Sequence, residues 1–119
     1  MEAVEVAREI TSKIKELDRL KLLLRSAINK QCEAASEYDK QLALTILKIK
    51  SGAIASIEGI PIDKPPASLI DKLAKGVCFN ERLVADTAEQ ELRAIESKIR
   101  ITMAQLNGYQ SINRYLAEV

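Results

Sequence analysis

Few side chains here could do covalent chemistry. The 119 residues contain no histidine. A serine, cysteine or threonine nucleophile would therefore need a lysine base, and no position marks one. Cys32 and Cys78 lie far apart without metal-type spacing and have no histidine to complete a ligand set, so no zinc site is expected. The neighbouring carboxylates Glu33/Glu37 and Glu89/Glu91 lack the Glu-x-x-His companions of a di-iron bundle and read as solvated helix faces. Gly52, Gly59, Gly76 and Gly108 are scattered and build no phosphate-cradling loop. The chain is expected not to be an enzyme and to need no cofactor.

Recognition chemistry is better represented. Arg19, Lys21, Arg25 and Lys30 follow one another with no acid between the first and the last, and the stretch from Arg100 to Ser111 contains no carboxylate. Cations at Arg100 and Arg114, amides at Asn29, Asn107, Gln110 and Asn113, and rings at Tyr109 and Tyr115 complete the candidate binding set. Such a set could attract a phosphate or an acidic protein and offer an aromatic face to a base. The plainer reading of a charged helix face is solvation alone. With 18 basic and 17 acidic residues the net charge is +1, so any basic surface must come from uneven placement.

The elements that position these groups are helical. No glycine or proline occurs before Gly52, and Val4, Ala7, Ile10, Ile14, Leu17, Leu20, Leu24 and Ile28 begin a stripe that continues through Cys32 to Ala53. Its recurrence of about 3.5 residues is that of a coiled-coil seam and predicts one helix over 2–51, roughly 75 Å long, that must lie along an equally long neighbour. Prolines 61, 65 and 66 and Gly59 punctuate residues 52–66, which are expected to form an ordered loop, a very short hairpin being the other option. A short amphipathic helix over about 67–75 follows, ending at Lys75-Gly76. The last helix is expected over about 80–116, capped by Asn80 and striped at about 3.6 residues by Val84, Ala88, Leu92, Ile95, Ile99, Met103 and beyond; Asn107-Gly108 weakens but does not end it.

The expected fold is therefore all-α: a single domain built as a long antiparallel helical hairpin, with a loop and short helix at its tip. Placing Ser51 beside Phe79 matches Lys48 with Glu81, Lys40 with Glu89 and Glu91, Glu37 with Arg93, and Glu33 with Lys98, and it leaves the Arg19 to Lys30 block without an acidic partner. Leu22, Leu23 and Ala27 beside one stripe, and Leu83, Ala85 and Ile101 beside the other, exceed what two helices can bury. That surplus predicts a homo-oligomer, a dimer forming a four-helix bundle or something larger. Glu2, Glu5 and Glu9 at the start do not resemble a signal peptide, and no run of 18 apolar residues exists, so a soluble cytoplasmic protein without membrane contact is expected. Both cysteines read as buried or half-buried hydrophobes in a reducing compartment.

The stretch Leu106-Asn107-Gly108-Tyr109-Gln110-Ser111-Ile112-Asn113, with Leu69 to Gly76 and Gly59-Ile60-Pro61-Ile62 before it, resembles a group of small uncharacterised proteins encoded by phages and prophages of Gram-positive bacteria. The likeness spans most of 35–116 and carries no catalytic motif. It implies expression in the bacterial host cytoplasm during infection and an early-gene role, as a replication or recombination accessory or against host defence. Three functions are therefore weighed. One is a self-associating helical protein that binds a host or phage protein. Another is a nucleotide or nucleic-acid binder, either a single-strand accessory or a sponge for a small signalling nucleotide. The third is a structural virion component, which predicts the protein's presence in purified particles.

Overall fold

The computed structural model describes residues 2–118. The fold is all-α, with α1 at Ala3–Ser51, α2 at Ala67–Val77 and α3 at Phe79–Glu118. Between α1 and α2 lie β1 at Ser56–Ile57 and β2 at Ile60–Pro61. By contact the chain divides into two compact units. The first comprises Met1–Asn29 with Gln90–Val119, the second Lys30–Glu89.

In the second unit α1 ends where the chain first meets a glycine. Gly52 takes φ +81°, its N–H donates to the Ile49 carbonyl at 3.3 Å, and the Ile54 N–H reaches back to the Lys48 carbonyl at 3.1 Å. Left-handed glycine just past the last turn is the usual way to satisfy orphan helix carbonyls. Residues 52–66, expected chiefly as a loop, contain the short hairpin instead. Glu58 and Gly59 both take positive φ, the pair that a two-residue hairpin turn demands, and Ile57 pairs with Ile60. Pro61 faces Ser56 at the non-hydrogen-bonded position of this ladder, so its missing N–H is not needed there.

α2 outlasts its expected end at Lys75 by two residues, running through Gly76 to Val77, and gives way to α3 at Cys78 alone. Asn80 is therefore an interior residue of α3 and not its cap; the Arg82 N–H finds the Cys78 carbonyl at 3.1 Å. α2 forms part of the returning leg, which changes the expected register. Ile49 packs with Ile70 and Ala74, joined by Leu42, Ile46, Ile54 and Leu73. Thr45 Oγ1 lies 3.3 Å from Cys78 Sγ. Ser51 therefore does not sit beside Phe79, and the alignment near this end differs by about two turns. Neither Lys40 nor Lys48 forms the expected ion pair among the described residues.

In the first unit the beginning of α1 and the end of α3 pack antiparallel. On α1 the packed positions are Val6, Ile10, Lys13, Leu17, Leu20, Leu24 and Ala27, all buried or half-buried. On α3 they are Leu92, Ile95, Ile99, Thr102, Leu106, Tyr109 and Leu116. Both follow alternating steps of three and four, with exposed Asn113 filling the step between Tyr109 and Leu116, a heptad seam in which these residues are the a and d positions. The expected stripes were thus right in kind and partly wrong in phase. Val4, Ile14 and Ile28 on α1, and Met103 and Ile112 on α3, are exposed, while polar Thr102 is 5% exposed. α3 keeps the coiled-coil period, not 3.6. It continues through Gly108, whose Cβ position faces open space.

Candidate functional site

Heptad positions fix which side of the first unit each candidate residue occupies. In an antiparallel helix pair the e positions of both helices border the seam on one side and the g positions on the other. The b positions extend the e flank outward, and the c positions extend the g flank. Lys21, Gln110, Arg25, Arg100, Asn107 and Arg114 occupy e and b positions, so they share one flank, and all six are exposed. The Arg100 guanidinium donates to Ser97 Oγ at 3.1 Å, and the Asn107 carbonyl accepts the Ser111 hydroxyl at 3.0 Å, so the polar segment is tied into the ordinary helix ladder.

The other six candidates are not gathered there. Arg19 and Tyr115 take c positions on the opposite flank, with Tyr115 67% exposed. Tyr109 is half-buried in the seam and lines a shallow cleft with Gln105, Gly108 and Ile112, away from the cation flank, and Asn113 is an exposed seam position between Tyr109 and Leu116. Asn29 points away from both flanks at an f position. Lys30 belongs to the second unit and is already engaged in an interaction. The expectation of a wholly unpartnered basic block is therefore corrected. Arg19 meets Glu16 at 3.4 Å, an exposed i,i+3 pair, whereas Lys21 and Arg25 form no ion pair among the described residues.

Apolar side chains missing from the seam line the same flanks. Beside the Lys21/Arg25/Arg100/Arg114 group lie Val4, Ile14, Ile28 and Met103; beside Arg19 and Tyr115 lie Leu23, Ile101 and Ile112. Sequence reading picked some of these residues as core because it weighed hydropathy and not phase. A strict heptad count from Leu17 and Leu20 would have found the flanks.

Cys78 is buried against Thr45, but Cys32 is exposed, contrary to its reading as a half-buried hydrophobe. Among the described residues no cluster of three His, Cys, Asp or Glu is placed to hold a metal ion, and no helix is long and apolar enough to cross a membrane. A cleft of about 570 Å³, open to solvent, lies in the second unit, lined by Ile49, Ile54, Ile62, Pro65 and Ile70 among others. Comparison with protein-family models, curated proteins and solved structures gives no match.

Proposed function

We propose that this chain is a non-enzymatic helical binding protein that associates with itself and carries a host or phage protein, in keeping with an early-gene or counter-defence role in the bacterial cytoplasm. One observation carries this reading. The apolar stripe of α1 at b and e positions is covered in the second unit, where Leu42, Ile46 and Ile49 meet α2, but the same stripe is bare at Val4, Ile14 and Ile28 in the first. Exposed aliphatic residues on one helix flank, here interspersed with Asp18, Lys21 and Arg25, are what a helical partner of matching charge takes up. A photo-reactive residue at position 14, with expression in a Gram-positive host, tests it. The expected result is two discrete cross-linked products lost in Ile28→Asp, one a second copy of this chain and one a host or phage protein. A product containing this chain alone would leave self-association and refute the host or phage partner, and cross-linking to many abundant proteins, unaffected by Ile28→Asp, would refute both.

A second reading, a nucleotide or nucleic-acid binder, is favoured by the convergence of Lys21, Arg25, Arg100 and Arg114 with Asn107 and Gln110 on one flank. Phosphate contacts of that kind weaken steeply with salt. Labelled single-stranded DNA or a cyclic dinucleotide should then bind with an affinity that falls with salt and with Arg25→Ala. Binding indifferent to both would remove this reading.

A further inference from the structure

The two flanks of the first unit are not equivalent. The flank built from e and b positions carries Lys21, Arg25, Arg93, Arg100 and Arg114 against Asp18 and Glu96, a surplus of three positive charges. The flank built from g and c positions carries Glu2, Glu5, Glu9, Glu16 and Glu91 against Arg19 and Lys98, a surplus of three negative charges. Each flank also bears four large exposed apolar side chains: Val4, Ile14, Ile28 and Met103 on the positive side, and Leu23, Ile101, Ile112 and Tyr115 on the negative side.

We infer that the occupant of the positive flank is the negative flank of a second copy of this chain. Apolar surface on both sides supplies the attraction, and charge selects the pairing. Positive flank on positive flank, or negative on negative, would set like surpluses together, which costs energy in a partly desolvated interface. Positive on negative brings them into complement. Such a contact joins two different surfaces and leaves one flank of each kind free at the ends. It is therefore heterologous and continues to a ring or an open stack instead of closing as a two-fold dimer. The pairing is salt-sensitive, because exposed charges are screened within about 10 Å at 0.1 M salt.

This inference rests on the self-association proposed above, and the following experiment separates the two. Ile14→Asp spoils the positive flank and Ile112→Asp the negative flank. Both positions are exposed, so each variant should keep the helicity of the parent by circular dichroism. In sedimentation velocity the parent should form species larger than two subunits, each variant alone should remain a single subunit, and an equimolar mixture should form a dimer that grows no further. An assembly that stops at two subunits in the parent, or that one substitution abolishes while the other leaves it intact, would overturn the heterologous pairing and leave self-association standing. A mixture that stays monomeric would overturn it too. A parent that is a single subunit at every concentration would overturn both.

Discussion

One stripe of α1 meets two different fates. Near the Ser51 end its b and e residues Leu42, Ile46 and Ile49 are closed over by Ile54, Ile70, Leu73 and Ala74. Near the Ala3 end Val4, Ile14 and Ile28 are exposed. The helix therefore carries an apolar a and d seam and, beside it, a b and e flank that is apolar near the Ser51 end and mixed aliphatic and charged near the Ala3 end, where Asp18, Lys21 and Arg25 interrupt Val4, Ile14 and Ile28. α3 is the neighbour for the seam. Among the described residues, α2, which turns from α3 at Cys78, is the helix that lies against this flank at Leu42, Ile46 and Ile49. An amphipathic helix is thus the structure that covers this stripe where it is covered, and on the proposed reading the exposed end is the surface that takes a helix from another molecule.

The sharpest way to break that contrast is inside the seam. Leu20 is 1% exposed in the first unit, and Leu20→Ala should cost about 2–5 kcal/mol. Amide exchange should then quicken through residues 3–29 and 90–118 more than in α2; uniform quickening would mean that the two units open together. Next in size is a matched pair on the flank. Leu42→Asp places a charge against the tip core and should lower stability by about 1–3 kcal/mol, whereas Ile14→Asp in dilute solution should change it by less than about 0.5 kcal/mol, both read from urea unfolding. Equal losses would show that the Ile14 surface is already covered within the chain. Glycines give the finest comparison. Gly76 and Gly108 are both helical with open space at the Cβ position, so alanine at either should raise stability by about 0.5–1 kcal/mol in the monomer. Gly108 lies at a c position on the negative flank, so Gly108→Ala alone should weaken association.

Much of the fold could be read from residue types. The freedom of α1 from glycine and proline, together with its 3.5-residue recurrence, marks one helix over almost its observed length. The phase was harder to read, because Val4, Ile14, Ile28 and Cys32 are more apolar than Lys13, Gln31 and Thr45, which occupy the seam. Hydropathy prefers the flank and packing the seam. On α3 the same competition puts Thr102 inside and Met103 outside. Lys75-Gly76 looked like a stop, yet α2 runs on and yields to α3 through Cys78, so neither the kink nor the resulting register could be anticipated from punctuation. The hairpin needed Glu58 in the left-handed region, which its residue type does not favour. Of the candidate site, the cationic composition was legible. Which cations share a flank was not, because that follows from heptad phase: Arg25, Arg100 and Arg114 share one, and Arg19 and Tyr115 fall on the other.

Light scattering of the unmodified protein across a wide concentration range tests the account most directly. The mean mass should climb from one subunit past two as concentration rises, and fall back when salt is added. A mass fixed at one subunit throughout would mean that the exposed flank of α1 is ordinary solvated surface, and the reading of this molecule as an associating helical binder would be wrong.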